Sequence, residues 1–268
     1  MKLRPSVSVE SGIWRGHTSG GTRVVAEEAP VTFVYDGGTE AVMMATPADL
    51  EDFAIGFSLN DGIVSSPGDI EELSIVDVER GVELRMALKR RNRDALVTRR
   101  RRRAGPVGCG LCGVESIDEA LPPLPRVTNP LSLNAKDVVD AVRSLAPMQK
   151  LNVETHAVHA AAFYVSGKGI VAVREDVGRH NALDKLAGAL VRASVRASDG
   201  AILMTSRVSV ELVQKAAAMG APILIAVSAP TALALREADA AGITIVAIVR
   251  DDGLEVFTHP HRVKMDAR

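Results

Sequence analysis

Between residues 159 and 250 the chain alternates two kinds of segment, and this alternation limits the possible folds more than any other feature of the sequence. HAAAFYVS (159–166), AILMTS (201–206), PILIAVS (222–228) and TIVAIVR (244–250) are apolar runs of strand length, and IVAVRED (170–176) reads as a further strand. Between them lie HNALDKLAGALV (180–191), SVELVQKAAAMG (209–220) and PTALALREADAAG (230–242), whose apolar residues recur at helical spacing. A strand apolar on both faces needs cover on both, so the pattern predicts a three-layer α/β unit with a sheet between helices. Gly220 and Gly242 close two of the helices, and Asn134 caps an earlier one over NAKDVVDAVRSL (134–145).

In such a sheet, ligands bind where strands run into helices. The junctions REDVGRHN (174–181), TSRVS (205–209) and VSAPT (227–231) gather acids, hydroxyls, Arg179, His180 and Arg207. Free N–H groups and the helix dipole suit phosphates there, and the arginines add charge. Ser, Thr, Asp and Asn also serve as plain helix caps, so each junction alone admits both readings. Three of them on one sheet edge favour a pocket.

The first half has a different pattern. VTFVYDGGTEAVMMAT (31–46) reads as a hairpin turning at Asp36-Gly37-Gly38, and LSIVDVERGVELRMAL (73–88) as a second one turning near Arg80-Gly81. Between them, TPADLEDFAIGFSLNDG (46–62) reads as a helix with Thr46 as N-cap, Pro47 at the first helical position and Gly62 as the stop. ALVTRRRRR (95–103) reads as a further strand. The order β-β-α-β-β-β suggests a small roll of the β-grasp kind, joined by the proline-rich linker LPPLPRVTNPLS (121–132) to the second half.

The only two cysteines of the 268 residues, Cys109 and Cys112, follow the arginines in GCGLCG (108–113). So few cysteines argue against a disulfide-stapled secreted protein, and the start of the chain lacks the apolar core of a signal peptide. No apolar run reaches membrane-spanning length, and a cytoplasmic location is expected. Lys plus Arg (32) nearly balances Asp plus Glu (33), so net charge makes no general case for nucleic acid. A C-x-x-C half-site for zinc needs two more ligands, and none of the six histidines completes a standard spacing. A thioredoxin-like pair calls for a rigid helical start, whereas glycines surround these thiols. A helix is expected only after Ser116, which forms a capping-box pattern with Glu119. Redox exchange and sulfur relay through a persulfide both remain open on the spacing.

GCGLCG, EDVGRHNALDK (175–185), SRVSVELVQKAA (206–217) and ILIAVSAPTALA (223–234), with TPADLEDFAIGF (46–57) and DGLEVFTHPHRV (252–263), together resemble the formate dehydrogenase accessory sulfurtransferase family. The agreement runs from about Val31 to Val263. The resemblance implies a β-rich domain over 1–121 carrying the cysteine loop, and a cytidine-deaminase-like α/β domain over 122–268. It implies a sulfur carrier that takes sulfur from a cysteine desulfurase as a persulfide. The sulfur then passes to the bis(molybdopterin guanine dinucleotide) molybdenum cofactor, before that cofactor enters the formate dehydrogenase apoenzyme. Cys109 matches the family's persulfide-bearing residue and Cys112 its auxiliary partner. By position, cofactor binding carries over to Leu254, Glu255, Val256, Phe257, Thr258 and His259. His159, Arg179, His180, Ser206, Arg207 and Ser209 are expected to line the pocket. No metal of the protein's own is implied, nor a nucleic-acid or membrane partner, and homodimers are.

Two features qualify the resemblance. The family's Thr-Gly-Gly-x-His-Ala-Ala pattern appears as THAVHAA (155–161), with His156 and Ala157 in place of the glycines. The His-x-Glu and Cys-x-x-Cys of a zinc deaminase correspond to His180-Asn181-Ala182 and Ser206-Arg207-Val208-Ser209, which lack the acid/base and the thiolates. Deamination is therefore disfavoured. A cofactor chaperone without sulfur transfer and a thiol–disulfide redox module are the alternatives.

Overall fold

A computed structural model describes residues 3–14, 18–94, 96 and 121–265. It begins with a ribbon of β1 (Ser6–Trp14) paired antiparallel to β2 (Thr18–Ala26). Most of its residues are exposed, so no inward–outward alternation announces it in the sequence.

The two expected hairpins are present. β3 (Ala29–Tyr35) and β4 (Gly38–Ala45) turn through Asp36 and Gly37, both at positive φ (48° and 79°), which matches the twist of paired strands. β5 (Ile70–Val78) and β6 (Gly81–Leu88) form the second hairpin. The sheet order is β4-β3-β6-β5, with β3 and β6 parallel at the centre. Helix α1 (Leu50–Asn60) covers one face, where Phe33 packs against Phe53 and Phe57 at ring-centroid distances of 4.9 and 4.1 Å. Val31, Tyr35, Val82, Leu84, Met86 and Leu88 complete this core.

Two expectations for this half fail. α1 starts at Leu50 after Asp49 in a left-handed conformation, so Thr46 is not its cap. The Thr46 groups are committed to the second half of the chain, as described below. The strand expected over 95–103 is not seen where the chain is described: residues 90–94 and Leu96 are helical, and Leu96 is buried in the first core.

The second half is the three-layer α/β unit its pattern predicts. Its six strands are β8 (His159–Val165), β9 (Gly169–Asp176), β10 (Ala201–Met204), β11 (Ile223–Ala226), β12 (Thr244–Arg250) and β13 (Gly253–Val256), in the order β13-β12-β11-β10-β8-β9. β10, β11 and β12 run parallel, and the other pairings are antiparallel. Helices α4 (Arg179–Arg192), α5 (Val210–Met219) and α6 (Ala232–Ala241) pack on one face with Ile202, Met204, Leu224 and Ile245. Helix α2 (Ala135–Leu145) packs on the other with Leu203, Ile225 and Val246. Gly220 and Gly242 adopt left-handed φ at the ends of α5 and α6, as expected. Among the described residues no helix is long and apolar enough to cross a membrane.

Short helix α3 (Lys150–Thr155) ends at His156, which is exposed and left-handed (φ 55°). A left-handed position, which glycine favours, is thus taken here by a histidine. The linker is a packed strap: Val127 is buried, and its N–H donates to the Ala241 carbonyl at 2.8 Å. Buried Arg262 donates to the carbonyls of Asn129 and Gly242, and β7 (Leu133–Asn134) pairs with β14 (Val263–Lys264).

The two sheets meet through α1 and α4, with a glycine from each helix at the crossing. A Cβ on Gly56 would lie 1.7 Å from the Asp184 carbonyl oxygen, and one on Gly188 would lie 1.9 Å from that of Asp52. Around this contact lies a buried polar network. The Asp176 carboxylate accepts from Lys185 Nζ (2.6 Å), the Thr46 N–H (3.0 Å), the Gly178 N–H (2.8 Å) and Asn181 Nδ2 (3.0 Å). Lys185 also donates to the Thr46 carbonyl at 2.8 Å, and the Thr46 hydroxyl accepts from the Val177 N–H. Asp52 is gripped by Arg174 and Arg192, and Asp184 by Lys215 and Asn60. Three polar residues of the 175–185 motif, Asp176, Asn181 and Lys185, therefore hold the two halves together.

Candidate functional site

The carboxyl ends of β10 and β11 open onto one edge, where their loops are tied to each other. The Val227 N–H donates to the Met204 carbonyl, Val208 pairs with Pro230, and the Thr231 N–H donates to the Val208 carbonyl. At the same edge the Thr205 hydroxyl accepts from the Ala160 N–H at 2.9 Å, and His159 at the start of β8 faces Asp176 at the end of β9. α4 starts there with Arg179 and His180. This sheet order brings His159, Arg179, His180, Ser206, Arg207 and Ser209 to one edge.

Their partners are incomplete. Arg179 Nε, His180 Nε2, Ser209 Oγ and Glu211 Oε2 are all buried and have no hydrogen-bond partner among the described residues. Such groups are rare, because each leaves a desolvation cost uncompensated. His180 Nε2 lies 3.8 Å from Glu211 Oε2, beyond hydrogen-bond range. Burial, aided by the charge on Arg179 and opposed by Glu211, pushes His180 down to about 4. Burial and Arg179 also lower His159. For Glu211, burial works to raise the carboxyl, but Ser209, its own backbone N–H, His180 and Arg179 outweigh it and favour the charged form. The Ser209 hydroxyl exerts this influence without meeting hydrogen-bond geometry. Ser206 is buried with its hydroxyl on the Arg207 carbonyl, while the Arg207 side chain is exposed.

A neutral histidine beside an arginine makes the fold pH-sensitive in a defined direction. The unfolded chain takes up the His180 proton near its ordinary value of 6.5, the folded chain only near 4. Stability from this group is therefore full above about pH 6.5 and declines as pH falls towards 4. Thermal midpoints of parent and His180→Gln, followed from pH 7 to 4.5, should show the smaller fall in the variant. Parallel curves would assign the acid limb to other groups.

The segment 254–259 lies elsewhere. β13 runs antiparallel to β12, so the chain returns towards the amino ends of the parallel strands. There the Phe257 N–H donates to the Ile245 carbonyl, and the Thr258 hydroxyl donates to the Ile243 carbonyl and accepts from the Ile245 N–H. His259 Nε2 lies 3.0 Å from the Asp239 carbonyl oxygen near the end of α6. Leu254 and Val256 pack on the sheet face that α2 covers, Glu255 is exposed, and Phe257 is 37% exposed. The length of β12 separates Thr258 and His259 from the junction cluster by roughly 20 Å.

A family model described as the FdhD/NarQ family matches residues 26–264. The chain belongs to that family. It is 53% identical over 249 residues to a sulfur carrier protein FdhD of Agrobacterium fabrum, spanning 92% of each chain. The FdhD of Cupriavidus necator is 47% identical over 91% of this chain and 84% of its own. A crystal structure from Desulfotalea psychrophila, described as that of a formate dehydrogenase accessory protein, shares the fold with a TM-score of 0.74 at 24% identity. It covers 97% of this chain and 99% of its own.

In this FdhD/NarQ chain Cys109 and Cys112 lie outside the described residues, as do Arg99 to Arg103 and the helix expected after Ser116. Among the described residues no group of three or more His, Cys, Asp or Glu is placed to hold a metal ion. The residues missed at the edge are Glu211, Lys215 and Arg250. Glu211 resembles any first-turn acid. Lys215 Nζ holds Asp184 at 2.7 Å, and its charge bears on His180. Arg250 donates to the Val227 carbonyl beside Ile248, whose positive φ (53°) is rare for a β-branched residue. A signal for the last region exists: Asp251-Asp252-Gly253 after a strand announces a hairpin, and a hairpin sends 254–259 away from the edge.

Proposed function

We propose that the protein is a sulfur carrier for formate dehydrogenase, acting on the bis(molybdopterin guanine dinucleotide) cofactor as its substrate. The observation that carries this reading is the set of buried polar atoms on Arg179, His180, Ser209 and Glu211 that have no partner among the described residues. They form a binding edge for a polar ligand, and it offers no thiol among the described residues. The nucleophile is then Cys109, and relatives named as sulfur carriers support that role. The Cys109 thiolate attacks the outer sulfur of a cysteine desulfurase's persulfide, giving a persulfide on Cys109 and a thiolate on the desulfurase. Attack of the Cys112 thiolate on the Cys109 sulfur then forms a disulfide and expels hydrosulfide towards the molybdenum, after which a cellular thiol reduces the pair. His159, Arg179 and Arg207 hold the nucleotide end of the cofactor. The protein works in the cytoplasm as a homodimer, with the cysteine desulfurase and the formate dehydrogenase apoenzyme as its partners.

The test is incubation with a cysteine desulfurase and free cysteine, followed by intact mass and peptide mapping. One reductant-labile sulfur on Cys109 is expected. A chain that gains no sulfur on either cysteine while still binding the cofactor is a chaperone, and the relay is wrong.

A further inference from the structure

The ribbon of β1 and β2 is a projection with little cover. Nine residue pairs hold it together, from Ser6 with Ala26 to Trp14 with Thr18. Among the described residues its main contact outside itself is with α3. A two-stranded ribbon alone is marginal in water. Towards its tip, a Cβ built on Gly12 or Gly20 would meet no atom within 4 Å. Ile13 lies across Gly21 on one face. Trp14, the next residue and so on the opposite face, is 76% exposed. It is the only tryptophan of the chain, and a tryptophan this exposed is typical of a binding surface.

A cavity of about 590 Å³ opens where the C-terminal ends of α1, α4 and α5 meet. Leu59 and Val64 of the first half, with Leu190, Val191, Val195 and Met219 of the second, form its apolar walls. Its one ionisable residue among those described, Arg196, is held by Asp199 and can stack on an aromatic face. The last carbonyls of a helix lack partners within it, so three helix ends also supply acceptors. An indole needs both, a flat apolar body to bury and one N–H to satisfy. A second cavity, of about 720 Å³, has Asp49, Lys150, Glu154, Arg174 and Glu175 in its lining and suits a charged group instead. No residue of the ribbon lines the first cavity. Continuous pairing keeps the arm straight, so Trp14 does not fold back to fill that cavity in its own chain.

We infer that the β1–β2 arm of one protomer seats Trp14 in this cavity of a second copy, and that the exchange is reciprocal. Both protomers then use the same two surfaces, which closes a two-fold dimer. The inference rests on the reading that the chain works as a homodimer. The cavity walls come from both halves, so the arm also braces the partner's α1–α4 crossing, and dimer formation stabilises it.

Fluorescence of the full chain reads the single tryptophan directly. In the parent dimer Trp14 should emit at short wavelength and resist quenching by acrylamide. Dilution should move the emission to long wavelength as sedimentation velocity reports the monomer. Trp14→Ser should weaken dimerisation roughly 30-fold or more, the loss expected for a buried tryptophan at the centre of an interface. Val191→Glu places a charge in the cavity wall and should both expose Trp14 and weaken the dimer. Ala218→Glu, on the α5 wall, takes its place if the thermal midpoint of the first variant falls. Mixing the variants tests whether the contact is between chains. The Val191→Glu chain offers an arm without a receptive cavity, and the Trp14→Ser chain a cavity without a tryptophan. Well above the parent's dissociation constant, their mixture should regain the short-wavelength emission that neither has alone. A mixture without that shift overturns the arm exchange. A parent dimer whose Trp14 stays open to acrylamide also overturns it and leaves the homodimer reading standing. A parent that stays monomeric removes both.

Discussion

Replacing Asp176 with alanine should destabilise the protein by about 3–5 kcal/mol, the loss that follows when one partner of a buried ion pair is removed. The side chains of Lys185 and Asp176 have no exposure at all, and Nζ sits 2.6 Å from Oδ2. Burial drives Lys185 below its usual range, and Asp176 opposes that shift by favouring the ammonium. Without the carboxylate, four donors lose their acceptor, one of them, the Thr46 N–H, reaching across from the first half, and the others being Lys185, the Gly178 N–H and Asn181. Lys185→Met in the same background should recover part of the loss, because the stranded charge disappears with it. Urea unfolding of the two single variants and the double variant measures the coupling directly. Strict additivity would mean that the pair is not formed in solution.

Gly188→Ala should cost about 2–3 kcal/mol, although alanine is intrinsically the better helix former by about 1 kcal/mol. The added methyl would meet the Asp52 carbonyl 1.9 Å away, which is backbone and cannot swing aside. α1 and α4 must then separate, loosening the Arg192–Asp52 and Asn60–Asp184 contacts that flank the crossing. Gly56→Ala meets the Asp184 carbonyl in the same way and should behave alike. A variant at either glycine with an unchanged urea midpoint would show that the helices do not approach so closely.

These two sites also show where the sequence was legible. The apolar runs of β10, β11 and β12 demand cover on both faces, and α2 on one side and α4 to α6 on the other supply it. Hairpins could be read from Asp36-Gly37 and from the Val82–Leu88 alternation, because the signals are local. Thr46 misled for the opposite reason. Its hydroxyl and Pro47 mimic a helix start, but Asp176 and Val177, some 130 residues away, claim its groups first. The edge at 205–209 was recognisable from Ser206, Arg207 and Ser209. Glu211 was not, since an acid in the first turn is an ordinary feature of a helix start. Where the 254–259 segment lies relative to the junction residues could not be read from its own composition, because that depends on the direction of β13.

The strap over residues 121–132 has a consequence for how the chain is made. Its fixed points, Ala241, Gly242, Arg262 and the β14 pairing, all come more than 100 residues later. At about 5–20 residues per second, a ribosome needs on the order of ten seconds to supply them after Val127 has been added. During that interval residues 121–132 have no place to dock. Closure of the strap is therefore among the last events in making the molecule. A nascent chain stalled short of Arg262 should present the linker to a protease that the finished protein resists.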